Sequence, residues 1–183
     1  MTVDGKIHMA KFVNPTNLIA AAGVKPGDIV ADLGCGSGFY TLAAARMIGN
    51  MGNVHAVDIQ ESKLTYTQSI ARQMGFDNVT VVKADLDKPL QQIPTNSCDY
   101  AIVASIIHEI DSKEALIKNA YRILKTGGKA LAVEWKKEYT IFGPNLEKRV
   151  SGPDLEGMMI RAGFHKEADI PADKFHYAML FIK

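Results

Sequence analysis

The stretch VADLGCGSGFYTLAAA, Val30 to Ala45, sets glycines at 34, 36 and 38 between an apolar run and a helix-like run, with Asp32 just ahead of them. Glycine is entropically expensive in ordered structure. Three at one junction therefore mean that the backbone turns sharply there or approaches something closely. Whether that something is a ligand is decided by the sequence around it.

Outward from this stretch, short apolar runs alternate with helix-like segments. DIVADLG (28–34), NVHAVDI (53–59), NVTVVKADL (78–86), CDYAIVASI (98–106) and GKALAVEW (128–135) are rich in Val, Ile and Ala on both faces. Strands covered by helices on each side read in this way. Helices are expected at 16–22, 39–48, 60–74 and 113–125. The last should be capped by Asp111, with Glu114 three residues on, and stopped by Gly127 and Gly128. Such alternation implies right-handed crossovers and a mainly parallel sheet.

The tail breaks the rhythm. After a helix within 151–164, opened by Ser151, come HKEADIP and FHYAMLFIK, separated only by Ala172 to Lys174. So short a link cannot make a parallel crossover, and the two runs must form an antiparallel hairpin. The expected fold is α/β: a Rossmann-like, doubly wound, seven-stranded, mainly parallel sheet with an antiparallel last strand, in a single domain over 1–183.

At 183 residues the chain is long enough to bury a core without staples. A net charge of +1 gives no electrostatic footprint for nucleic acid, and no nucleic-acid partner is expected. Cys35 and Cys98 form no CxxC, so no metal or redox motif is expected. The N-terminus has no signal-peptide pattern, and no apolar run approaches the roughly 20 residues that span a bilayer. A cytoplasmic setting with no membrane association is the expectation.

The glycine turn follows a strand and opens a helix, where open parallel sheets bind nucleoside-containing ligands. A dinucleotide fingerprint reads GxGxxG and holds a pyrophosphate. The spacing here is Gly34-x-Gly36-x-Gly38, and Asp32 would repel phosphates but welcome an ammonium group. That favours S-adenosylmethionine over a nicotinamide dinucleotide. Asp58, at the end of the second strand, is placed to accept from ribose hydroxyls, and Asp85, at the end of the third, from an adenine amino group. Any one of them alone could cap a helix or shape a turn; three in register with the glycines point to a ligand.

On these residues the chain resembles the class I S-adenosylmethionine-dependent methyltransferases over about residues 15–183. VADLGCGSGFYT resembles that family's first motif, VHAVDI its second, VVKADL its third and CDYAIVASIIHEI its fourth. ILKTGGKALAVEW resembles the lead-in and fifth strand. The resemblance implies a cofactor site drawn from Asp32, Gly34, Cys35, Gly36, Gly38, Tyr40, Asp58, Ile59, Ala84, Asp85, Leu86, Ala104 and Ser105. VKPGDIVADLGCGSG and LKTGG are similar to small-molecule enzymes of the ubiquinone/menaquinone-biosynthesis and arsenite-methylating type. The arsenite enzymes use several cysteines, and two in cofactor-side elements speak against arsenic as the acceptor.

Methyl transfer needs donor and acceptor held in line, and a base where the acceptor carries a proton. His108, past the fourth strand, is the candidate base; alternatively it orients its own turn or touches the cofactor. Trp135 either covers the acceptor or anchors packing. Residues 1–15 are a candidate lid, and Met9, Phe12, Tyr139 and Phe142 are the apolar groups available to roof the pocket. A homodimer would complete the roof in another way. The expected function is methyl transfer to a small-molecule acceptor. The alternatives are a non-catalytic cofactor-binding partner of another enzyme and a nicotinamide-dependent oxidoreductase.

Overall fold

The computed structural model describes residues 13–183, and Asn14 caps the first described helix. Its side chain accepts from Asn17 N and Pro15 fills the first turn of α1, Pro15–Ala21. The lid expected over 1–15 therefore falls, for residues 1–12 and with them Met9 and Phe12, outside the described residues.

The remaining elements follow the sequence rhythm: β1 Ile29–Leu33, α2 Phe39–Ile48, β2 Asn53–Asp58, α3 Glu61–Gln73, β3 Val79–Lys83, β4 Cys98–Ala104, α4 Lys113–Ile123, β5 Leu124–Trp135, α5 Gly152–Arg161, β6 His165–Ile170 and β7 His176–Ile182. The seven strands form one sheet in the order β3-β2-β1-β4-β5-β7-β6. β1 to β5 are parallel, and β7 runs antiparallel to both β5 and β6. The five-residue link between β6 and β7, 171–175, is too short for a parallel crossover and makes that pair antiparallel.

Successive strand residues feed opposite faces. Val30, Ile102, Leu131 and Val133 pack with Leu18 and Ile19 of α1 and Ala44 and Ile48 of α2. Their neighbours Ala31, Leu33, Val103 and Ala132 pack with Leu116 and Ile123 of α4 and Leu155 of α5. Each fully buried Leu or Ile contributes roughly 1.5–3 kcal/mol. Strand order reverses at β1, which pairs with β2 on one side and β4 on the other, so a crevice opens beyond their carboxyl ends.

Three local expectations are corrected. Ser112 caps α4, its hydroxyl accepting from Ala115 N at 3.3 Å, because Asp111 lies one residue too early. α4 stops at Ile123 rather than at the Gly127-Gly128 pair, because Leu124 already pairs with Cys98; the register then shifts before Tyr100, and Gly127 takes φ +79° within β5. β3 does not read as a fully buried strand: it is an edge strand with none of its residues buried, Val79, Val81 and Val82 packing half-buried against the core and Thr80 and Lys83 exposed.

Candidate functional site

Everything chemical converges on the carboxyl edge of β1, β2, β4 and β5. After β1 the chain turns through Gly34, Gly36 and Gly38 at φ +81°, +51° and +80°, conformations that side chains rarely adopt. A Cβ at Gly34 would come within 2.5 Å of Ile106, and one at Gly38 within 2.7 Å of Thr67, so these two let the loop pack. Gly36 differs: a Cβ there would meet nothing within 4 Å. It faces open space.

Asp58 braces that loop. Its Oδ2 accepts from Gly36 N at 2.9 Å and its Oδ1 from Gln60 N at 2.8 Å. A carboxylate offers about four lone-pair sites, so acceptor capacity remains toward the crevice. Thr67 completes the brace by donating to Gly36 O at 3.1 Å.

The crevice has a volume of about 660 Å³, and its walls include Gly34, Gly36, Asp58, Ile59, Ala84, Asp85, Leu86 and Ser105. These eight sequence-predicted residues are therefore brought together. Asp85 reaches the rim, where Lys88 pairs with it at 2.9 Å and holds its carboxyl below the usual range. Ile59 is an exposed apolar side chain, suited to cover a flat ring. Ser105 sits at φ +52°, a strained conformation for a side-chain-bearing residue, fixed by its N–H donating to Val133 O at 2.8 Å.

Asp32, Cys35, Gly38, Tyr40 and Ala104 do not line the crevice. Asp32 is 2% exposed, and Thr41 Oγ1 donates to its Oδ2 at 2.6 Å. Burial nevertheless raises its pKa to about 6; Thr41 opposes the rise and the Asp58 charge adds to it. Burial likewise pushes the Cys35 thiol far above its ordinary range, with Asp32 and Asp58 adding, so it stays a protonated packing residue. The Tyr40 phenol is raised by burial and then by the carboxylates of Asp32, Asp173 and Glu134, which places several negative groups around it.

A second hollow of about 530 Å³ adjoins the first and shares Glu109 and Ile110 with it; His108 lines this second space. His108 Nδ1 lies 3.0 Å from Glu134 Oε1 and 3.1 Å from Oε2. Sequence reasoning missed Glu134. Its only signal was one acidic residue inside the apolar run ALAVEW.

Arg149 was missed as well. It is 3% exposed and gathers the 136–149 loop by donating to the carbonyls of Lys136, Glu138, Phe142 and Pro144 and to Thr140 Oγ1. Its guanidinium also lies 5.1 Å over the Trp135 ring. The His176 ring sits 4.1 Å from Trp135 and the Phe142 ring 6.1 Å, so Trp135 is a packing anchor for the loop. Tyr139 is exposed at the loop's tip. Among the described residues no group of three His, Cys, Asp or Glu side chains could hold a metal ion.

A glycine turn braced by an acidic strand tip, opening on a crevice at the switch point of a seven-stranded sheet, defines a nucleoside-cofactor site of the Rossmann-like class. A family model described as a methyltransferase domain matches residues 24–151. The chain belongs to this methyltransferase-domain family. It is 32% identical over 120 residues to the ubiquinone/menaquinone biosynthesis C-methyltransferase UbiE of Citrobacter koseri, covering 65% of this chain and 47% of that one. Against the enzyme of the same name from Shewanella halifaxensis the identity is 35% over the same coverage. The chain thus spans about half the length of the curated relatives it matches. Among solved structures it is similar to a SAM dependent methyltransferase from Aquifex aeolicus, with a TM-score of 0.87 and 25% identity over 97% of this chain and 94% of that one.

The cofactor implied by these likenesses is S-adenosylmethionine, and the residues present fit it. Gly36 offers an open approach, Asp58 has spare acceptor capacity, Ile59 and Leu86 give apolar cover, and Asp32 is a buried acid with no cation paired to it among the described residues. No helix among the described residues is long and apolar enough to cross a membrane.

Proposed function

We propose that the chain is an S-adenosylmethionine-dependent methyltransferase acting on a small-molecule acceptor. The observation that carries this is the junction of two hollows at Glu109 and Ile110: one framed by Gly36, Asp58 and Ile59, the other by His108. When bound, S-adenosylmethionine supplies an electrophilic methyl group on a sulfonium centre.

The chain's residues then have separate tasks. Asp58 accepts from vicinal hydroxyls, and Asp85 from an exocyclic amine at the rim. Asp32 supplies negative potential behind the loop, which favours a cationic ligand and disfavours a pyrophosphate. That sign argues against a nicotinamide dinucleotide. The strained turn at Ser105 and the Arg149-held loop fix the acceptor side, so that the reacting atoms meet in line; in the best intramolecular cases this is worth up to about 7–11 kcal/mol. His108 is the base for an acceptor that carries a proton.

The two relatives named C-methyltransferases make carbon acceptors one type to include. A cytoplasmic setting and a homodimer belong to the same proposal, the latter checked by sedimentation. The deciding experiment supplies methyl-labelled S-adenosylmethionine and a panel of metabolites, reading products by mass. A labelled product from a small acceptor supports the reading; label transfer only to protein or RNA contradicts it.

A further inference from the structure

Glu134 is the one wholly buried carboxylate of the central strands, with no exposure, continuing a run from Ala130 to Val133 that is otherwise apolar and buried. A buried carboxylate costs several kcal/mol unless donors surround it. Among the described residues no lysine or arginine pairs with it. Its donors are Trp135 N, at 2.8 Å from Oε1, and His108 Nδ1, within 3.1 Å of both oxygens.

That geometry fixes where the imidazole proton sits. A bare Nδ1 lone pair facing a carboxylate is repulsive, so Nδ1 carries the hydrogen and neutral His108 keeps its lone pair on Nε2. On that side Glu109 Oε1 lies 3.8 Å from Nε2, on a mostly exposed side chain and beyond hydrogen-bonding range. The His108 ring, its side chain 10% exposed, forms part of the wall of the second hollow. His176 makes the contrast: it has an aspartate partner at 2.8 Å, but its ring packs on Trp135 and lines neither hollow.

We infer that Glu134 is a positioning residue that holds His108 with Nε2 ready to take a proton, so the acceptor is a molecule that sheds a proton on methylation: a hydroxyl compound, an N–H compound or an enolisable carbon acid. The inference rests on the methyltransferase reading above. In the step, the acceptor's X–H bond breaks and its electron pair forms the new bond to the methyl carbon. The C–S pair returns to sulfur, and the proton passes to Nε2. The resulting imidazolium is paired at once with the Glu134 carboxylate, which is why a full charge rather than a neutral amide serves there.

Three measurements test this. In the wild-type protein, nitrogen-15 NMR of the imidazole, taken at a pH where the ring is neutral, should show His108 in a single tautomer with hydrogen on Nδ1; a neutral ring with hydrogen on Nε2 overturns the inference. Every acceptor found in the labelled scan should lose a proton when methylated; a thioether or tertiary amine as the acceptor overturns the inference while leaving the methyltransferase reading intact. With an acceptor in hand, Glu134→Gln should lower kcat by about 100-fold or more with KM and S-adenosylhomocysteine affinity within about twofold. The deficit should shrink as pH rises past the acceptor's own ionisation. A deficit of the same size at every pH marks a plain structural brace and overturns the inference. The tautomer and the acceptor's identity are read without any variant, so a misfolded Glu134→Gln does not shelter it. Absence of both S-adenosylhomocysteine binding and labelled product would instead sink the reading beneath it.

Discussion

Thr41 donates its hydroxyl hydrogen to Asp32 at 2.6 Å, and this is the only side-chain hydrogen bond that the buried carboxylate receives among the described residues. The Thr41 hydroxyl and backbone N–H together do not offset the lost hydration, and burial raises the Asp32 pKa from 3.8 to about 6. The acid is held in a place where only a cation would make its charge comfortable.

The first prediction follows from the sign of that shift. A folded-state pKa above the unfolded one means that the native state binds the proton more tightly. The stabilisation is fully present below about pH 4 and is lost as pH rises through about 6. Two units correspond to about 3 kcal/mol at most. Asp32→Asn should therefore raise the melting temperature of the ligand-free protein at pH 7.5, while removing that gain at pH 4. The same change should weaken S-adenosylmethionine binding tenfold or more, as calorimetry would show.

Glycine positions should separate folding from binding. Gly34→Ala forces a Cβ into Ile106 at φ +81°, and a loss of about 2–3 kcal/mol in urea unfolding is expected. Gly36→Ala meets no atom, so its stability cost should be only the backbone strain of a side chain at φ +51°, about 1–2 kcal/mol. Its methyl group, however, stands where the ligand must approach. The expected outcome is a folded protein that binds S-adenosylhomocysteine at least tenfold more weakly.

Arg149 should prove to be the organiser of the 136–149 loop. Arg149→Ala leaves buried carbonyls without donors, and a stability loss of about 3 kcal/mol is expected. Arg149→Lys should rescue little, because one ammonium cannot span donors arranged in a fork. Hydrogen exchange over 137–148 should quicken in both variants, with β1 to β4 unchanged.

The sheet was legible because β1 to β5 each carry a short apolar run and because the short link between β6 and β7, 171–175, admits only a hairpin. The glycine turn and the acids at strand tips carried the crevice, since ligand position in such sheets follows from topology. Local rules misled where a competing interaction was close at hand. Gly127 and Gly128 look like a helix stop, yet pairing of Leu124 with Cys98 had already begun the strand. Ser112 took the cap from Asp111 because its hydroxyl sits at the right residue. Glu134 and Arg149 were invisible for another reason. Their partners are a histidine 26 positions away and a set of backbone carbonyls, and neither leaves a mark in local composition. Only the folded chain brings those atoms within reach.

Calorimetric titration with S-adenosylhomocysteine bears most directly on the whole reading. Saturable one-to-one binding with a Kd on the order of 10 μM, about −7 kcal/mol, is predicted, together with its loss in Gly36→Ala. A folded chain that gives no heat at millimolar ligand would contradict it.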